Sequence, residues 1–366
     1  MLKTVMNSFH VEQGARMVEY AGWEMPLFYG PGATEEHRIV RRSAGIFDVS
    51  HMGRFRIQGP GSTDYLNHLI TSNVKALQPG QSGYGILLKE DGGIIDDIFL
   101  YRMGEEDYSL VVNASNLNKD WEWLELHTGP FEVTLTDESS QTSLFALQGP
   151  QVIPVLEKLT SLSLQDEWER FGIRELKLNN ITFQAGRTGY TGEDGVEIFV
   201  DNEAALELWN SILALFADHC EISPCGLACR DSLRFEPGFP LYGHELGEDI
   251  LPPEALLKWA CDMQGDFIGK EAVEALLEKG LERKLITLSL TEKGVPREGY
   301  EVLSSDGEVI GEVVSGLYAP TVDKYCANAF VSPAYAKAGT EIQVSLRGRV
   351  KKAVVEKRPL YRPSYR

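Results

Sequence analysis

Nowhere in this 366-residue sequence do about eighteen apolar residues run together, and the opening Met1-Leu2-Lys3-Thr4 has no apolar signal core. Neither a membrane-spanning helix nor a secretory leader is expected, and the cytoplasm is the expected location. Positive charge is scarce: 35 Lys and Arg stand against 54 Asp and Glu, a net −19. That balance argues against nucleic acid or an anionic membrane as the main partner. It suits a neutral or cationic substrate, with a local Arg still able to hold an anion. Cysteine is sparse, odd in number and scattered, at Cys220, Cys225, Cys229, Cys261 and Cys326. This is the pattern of reduced thiols and not of a disulfide framework. Cys225 and Cys229 lie four apart, but no second cysteine pair and no His-x-x-x-His accompanies them, so no metal is expected.

What is present is ordinary globular composition, 43% apolar and 24% charged, in a chain too long for one typical core. Two or three domains are expected. The most distinctive stretch is Gly186-Arg187-Thr188-Gly189-Tyr190-Thr191-Gly192-Glu193-Asp194-Gly195-Val196-Glu197, with glycine at every third position. It follows the strand-like Ile181–Ala185 and leads into Val196–Val200, so it reads as a tight turn between two strands. Glycine there lets another backbone or a ligand come close. No Gly-Lys-Ser/Thr follows, so it is not a phosphate loop.

Several other segments carry information. Thr34 to Val40 reads as a helix capped by Thr34. Phe55-Arg56-Ile57-Gln58-Gly59-Pro60 is echoed ninety positions on by Phe145-Ala146-Leu147-Gln148-Gly149-Pro150, each followed by leucines at helical spacing. Both copies read as strand, turn and amphipathic helix, a duplicated α+β unit. Tyr84–Leu88 and Ile94–Tyr101 form strands around the turn Glu90-Asp91-Gly92-Gly93. On the return strand Asp96 shares a face with Ile94 and Ile98, and Asp97 with Ile95, Phe99 and Tyr101. A carboxylate in an apolar row is costly unless paired, bonded or used, unless this is an edge strand open to water. Asn202 to His219 reads as an amphipathic helix capped by Asp201 or Asn202, its aromatics serving the core. Arg230, Arg234 and Glu236 fall on a short helix ending before Pro237, as an ion-pair cluster or as forks for a ligand carboxylate. His244 is an acid/base by type, though a lone histidine is more often satisfied locally. From about Glu282 short strands and the Asp306-Gly307 turn indicate a small all-β domain.

Taken in order, Ala21-Gly22-Trp23-Glu24-Met25-Pro26, Phe47-Asp48-Val49-Ser50-His51-Met52, Gly92-Gly93-Ile94-Ile95-Asp96-Asp97, Arg187 to Gly195, Pro240-Leu241-Tyr242-Gly243-His244 and Asp266-Phe267-Ile268-Gly269-Lys270-Glu271-Ala272 resemble a known family over essentially the whole chain. The family is the aminomethyltransferase of the glycine cleavage system, or T-protein. The resemblance implies an α+β fold arranged as a three-domain ring (cloverleaf) around a central folate cavity. Two domains would be α+β and the C-terminal one an all-β barrel. The expected divisions are 1–50 with 140–245, 51–139 with 246–280, and 281–366.

The resemblance further implies tetrahydrofolate as co-substrate and a lipoylated H-protein as transient partner delivering an aminomethyl group. The products would be 5,10-methylenetetrahydrofolate, ammonia and the reduced lipoyl arm. By motif position, Asp97 is the implied catalytic carboxylate, Glu197 the pterin anchor and Arg230 another folate contact, with Tyr84, Asn113, Tyr190 and Tyr242 lining the cavity. The chemistry is compatible: a carboxylate accepts adjacent pterin N–H donors as a pair, and an anionic tail suits Arg. The sequence departs from the family at Ala228-Cys229 before Arg230, at Phe235 and Pro237, at Lys89 and at Leu317-Tyr318-Ala319. The donor therefore has an alternative, a small S-, N- or O-methyl compound demethylated onto the folate. A non-enzymatic folate-binding protein of iron–sulfur assembly is a third reading, but its Lys-Gly-Cys motif is absent.

Overall fold

The computed structural model describes residues 1–365, in two compact units. One unit comprises Met1–Leu66, Val74–Tyr84 and Ile98–Leu233, and the other Asn67–Asn73, Gly85–Asp97 and Arg234–Arg366. Among the described residues no helix is long and apolar enough to cross a membrane.

The first unit is built on a six-stranded sheet. Its spatial order is Ile173–Leu178, Ile181–Gly186, Gly195–Asp201, Thr142–Gln148, Ala44–Asp48 and Ile222–Pro224. Pairing is antiparallel except for Ile222–Pro224, which lies parallel to Ala44–Asp48. One set of alternate residues, including Ile46, Phe145, Leu147, Val196 and Ile198, shares a buried cluster with residues of the helices Val152–Thr160 and Asn202–Ala217. The helical stripe Leu208, Trp209, Ile212 and Phe216 is fully buried there, each side chain contributing about 1.5–3 kcal/mol of burial. The opposite row, Phe47, Leu144 and Ala146, enters a second cluster with Tyr101, Val111, Cys225, Cys229 and Leu233. Burial on both faces explains why these strands read as continuous apolar runs.

A second sheet has the order Ser82–Leu88, Ile94–Gly104, Asp107–Val112, Gly53–Gln58 and Thr134–Asp137. The strand bearing the aspartate pair lies between Ser82–Leu88 and Asp107–Val112, and its pairing with the latter runs from Phe99 to Gly104, beyond the aspartates. Asp96 is fully buried and Asp97 half-buried, as the alternation of faces requires.

The sequence echo is a structural one. Gly53–Gln58 leads to the helix Ser62–Leu69, and Thr142–Gln148 leads to Val152–Thr160. Gly59 and Gly149 sit at φ of 123° and 136°. A Cβ at these glycines would lie 2.5 Å from Glu132 O and 2.2 Å from Ser43 O, so the turns require glycine twice over. The capping expectations need correction. The helix Ala33–Arg42 starts one residue before Thr34, with Gly32 at its cap and no side-chain cap bond. Asp201 does occupy the cap position of Asn202–Ala217, again without a side-chain bond. Asn202 instead accepts from Ser143 Oγ and donates to Ser140 O.

In the second unit, six antiparallel strands close a barrel in the order Lys284–Leu290, Lys324–Val331, Val309–Ala319, Glu301–Leu303, Glu341–Leu346 and Arg349–Val355. Closure comes from Lys284–Leu290, which pairs with both Lys324–Val331 and Arg349–Val355. Alternate residues such as Ile286, Leu288, Val313, Ala327, Ala329, Ile342 and Val344 fill its interior. The Arg234–Glu245 pair, 2.9 Å apart with both side chains at most 1% exposed, is structural. Glu245 also accepts from Asn328, Ser315 and the Leu241 N–H.

Candidate active site

The glycine-rich run connects Ile181–Gly186 to Gly195–Asp201 and is held by protein contacts throughout. The Gln148 side chain donates to Thr188 O at 2.9 Å and accepts from Thr191 Oγ1 at 2.9 Å. A Cβ at Gly189 or Gly195 would come 1.9 or 2.7 Å from side-chain atoms of Gln148. A Cβ at Gly186 would come 2.5 Å from Tyr101 Cε1. These three glycines therefore admit the chain's own Gln148 and Tyr101 side chains, where the sequence had suggested close approach of another backbone or a ligand. The carboxylates in the middle of the run are also used locally. Glu193 pairs with Arg41 at 2.8 Å, and Asp194 with Arg187 at 2.7 Å.

Glu197, at the exit of the run, is different. The residue is 7% exposed. Tyr101 Oη donates to Oε2 at 2.6 Å and Thr188 Oγ1 donates to the same oxygen at 2.7 Å. Oε1 accepts no donor among the described residues. Burial and the adjacent Glu197 push the Tyr101 phenol well above its ordinary range, so it remains a donor.

Arg230 lies in the same unit, on the helix Leu227–Phe235. Its guanidinium sits over the Tyr190 ring, 4.8 Å from the centroid, with Nη2 3.9 Å from Met52 Sδ. Nη1 is buried and has no hydrogen-bond partner. His51 neighbours this group. It is 4% exposed, its Nδ1 has no partner, and Tyr20, the last residue of the strand Arg16–Tyr20, meets it edge-on with ring centroids 5.6 Å apart. Burial, with Arg230 and Arg54 nearby, depresses the His51 pKa to about 4 against the opposing pull of Asp48. The imidazole is therefore neutral at neutral pH.

The remaining expected residues are half-buried. Tyr84 lies on Ser82–Leu88, and Asn113 precedes the short helical turn Ala114–Asn116. In the second unit, Tyr242 Oη reaches Ile94 O at 3.4 Å, on the strand segment that carries Asp97. His244 is satisfied locally, with Nδ1 3.1 Å from both Val314 O and Glu298 Oε2. The structure thus joins Arg230 to Tyr190, and Tyr242 to the strand of Asp97. It adds Tyr101, Thr188 and His51, to which the sequence reading gave no role. Tyr101's place on the face of Asp97 and Thr188's place inside the glycine run were the available signals.

The Cys225–Cys229 gap has a third neighbour. The ligating atoms of Glu36, Cys225 and Cys229 all lie within 4.8 Å of one another. Both Glu36 oxygens already accept backbone N–H groups, from Tyr29 and Gly226. Burial raises both thiols above their usual range, whereas metal binding requires thiolates.

Known proteins share this architecture. The family model described as the GCVT N-terminal domain matches residues 6–265, and that of the glycine cleavage T-protein C-terminal barrel domain matches 283–362. The chain is 42% identical to an aminomethyltransferase of Symbiobacterium thermophilum, covering 100% of this chain and 98% of the relative. It is 41% identical to an aminomethyltransferase of Herpetosiphon aurantiacus, covering 100% of both. The crystal structure of the glycine cleavage system aminomethyltransferase T from Bartonella henselae superposes with a TM-score of 0.91 at 33% identity, covering 99% of this chain and 98% of that one. With both family models matched in order and relatives aligned end to end, the chain belongs to the glycine cleavage T-protein family.

Proposed function

We propose that this protein is the tetrahydrofolate-dependent aminomethyltransferase of a glycine cleavage system. It takes the aminomethyl group from the lipoyl arm of an H-protein and yields 5,10-methylenetetrahydrofolate, ammonia and the reduced arm. The observation that carries the reading is the buried carboxylate of Glu197, with Oε2 held by two hydroxyls and Oε1 open, in a chain that aligns end to end with aminomethyltransferases.

The residues suit the co-substrate. A pterin ring offers adjacent N–H donors, and Glu197 has an open acceptor oxygen for them. Arg230 has a buried donor without a partner and an aromatic face beneath it, which suits the anionic and aromatic parts of a folate. Bound tetrahydrofolate supplies the nitrogens that receive the one-carbon unit. In this reading Glu197 holds the pterin, Arg230 and Tyr190 hold the remainder, and Tyr84, Asn113 and Tyr242 complete the lining. Asp97 is the catalytic carboxylate. As ammonia leaves the donor, positive charge develops on the transferred carbon, and a half-buried carboxylate stabilises it better than water does.

The test mixes purified protein with tetrahydrofolate and either aminomethyl-loaded H-protein or small methyl donors. Methylenetetrahydrofolate and ammonia formed only with H-protein support the proposal. Methyltetrahydrofolate from a small donor, with nothing from H-protein, replaces it with the demethylase reading.

A further inference from the structure

Three hydroxyl and carboxyl groups meet where the glycine-rich run returns to the sheet. Tyr101 Oη and Thr188 Oγ1 are 3.0 Å apart and both contact Glu197 Oε2, at 2.6 and 2.7 Å. A hydroxyl has one proton to give. The carboxylate is the nearest acceptor of both, closer than Gly186 O at 3.4 Å from Thr188 Oγ1, so both protons go to it and the Tyr101–Thr188 approach is a consequence of sharing an acceptor. Two charge-assisted bonds on one oxygen fill its lone pairs and fix the carboxylate plane. The other oxygen is left as the free acceptor.

The sequence builds this arrangement deliberately in three places. Gly186 has no side chain where a Cβ would strike the Tyr101 ring at 2.5 Å. Gln148 anchors Thr188 through its carbonyl at 2.9 Å. Phe199 packs edge-on against Tyr101, with centroids 5.0 Å apart. The Tyr101 ring is wholly buried, so its hydroxyl serves only the interior of the site.

We infer that Tyr101 and Thr188 are positioning residues that saturate Glu197 Oε2, so that Oε1 alone selects the co-substrate through its ring amino and N–H donors. The inference rests on the folate reading above and adds a specificity device to it. Selection works by difference. A ligand with a donor at this point bonds Oε1, and one without it displaces water from that carboxylate oxygen and gives no bond in return. Freed of its two hydroxyls, the carboxylate can turn, and Oε2 competes for the same donors.

The experiment measures binding of tetrahydrofolate and of its 2-desamino analogue to wild type, Y101F, T188V and T188S by calorimetry. Steady-state kinetics and thermal melts accompany it. Wild type is expected to prefer tetrahydrofolate. Y101F and T188V should each lose about tenfold in tetrahydrofolate affinity, the size of one hydrogen bond to a charged group. KM rises with kcat largely retained, and the loss shrinks or vanishes for the desamino analogue. T188S, which keeps the hydroxyl, should bind as wild type does, whatever happens to the melting of Y101F. Equal losses for both ligands, or wild-type affinity in both Y101F and T188V, would overturn the inference while leaving the folate reading intact. Failure of the wild-type protein to bind tetrahydrofolate removes both.

Discussion

The guanidinium of Arg230 lies over the ring of Tyr190, 4.8 Å from its centroid, and leaves Nη1 buried without a partner. A cation on an aromatic face is worth about 0.5–2 kcal/mol, less than leaving a charged donor unpaired. The arrangement is thus stable chiefly when something accepts from Nη1. Replacing Arg230 by Lys keeps the charge but loses the planar fork. R230K is expected to raise the tetrahydrofolate KM by about ten- to a hundredfold. Y190F, which keeps the ring face, should bind normally, and Y190A should lose about two- to fivefold. Titration calorimetry on the three variants checks this, and wild-type affinity in R230K would remove Arg230 from the site.

The proposed function gives Asp97 the chemical step and not binding. Asp97→Asn keeps shape and removes charge, so tetrahydrofolate affinity should persist while single-turnover rates fall by about a hundredfold or more. Loss of binding with unchanged turnover of the bound complex would reverse the assignment.

Gly186→Ala tests whether the turn and the carboxylate are coupled. The new methyl meets Tyr101 Cε1 at 2.5 Å, and the ring must move, at about 1–3 kcal/mol. Both the denaturation midpoint and folate affinity should fall. Gly311→Ala is the matched control. Its methyl would meet Phe330 O at 2.0 Å inside the barrel, so it should lower stability without touching intrinsic folate affinity.

Acid sensitivity should appear in two windows of the same sign. His51 has a folded pKa of about 4, below its ordinary value near 6.5. As pH falls from about 6.5 to 4 the unfolded chain takes a proton that the folded chain refuses, and stability drops. Asp48 follows at lower pH. Burial raises it, but bonds from His10, the Ser50 N–H and Thr4 prevail and hold it at about 2. Its contribution is complete above the ordinary carboxyl pKa and is lost as pH falls toward 2. Denaturation followed across pH should show H51Q flattening the upper window and D48N the lower. A single window unaffected by H51Q contradicts the burial of a neutral His51.

Much of this was legible in the chain. Hydrophobic alternation located the barrel strands. The repeated Gln-Gly-Pro marked two strand–turn–helix units, because a glycine at positive φ against a carbonyl leaves few other residues possible. Opposite faces for Asp96 and Asp97 followed from the two-residue period of a strand. The capping of Ala33–Arg42 by Thr34 did not hold, because Gly32 opens the helix from a conformation that Thr avoids.

Local pattern by itself determined elements, turns and the ordered motifs that mark the family, since these depend on neighbours within a few residues. Only the tertiary structure decided which carboxylate keeps a free oxygen. Glu193, Asp194 and Glu197 are equally acidic in sequence. Arg41, 152 residues away from Glu193, takes the first, and Arg187 takes the second. Tyr101, 96 residues from Glu197, holds one oxygen of the third and leaves the other open. Hydrogen bonds between distant segments exist only once the sheets bring them together, and no periodicity in the sequence encodes them.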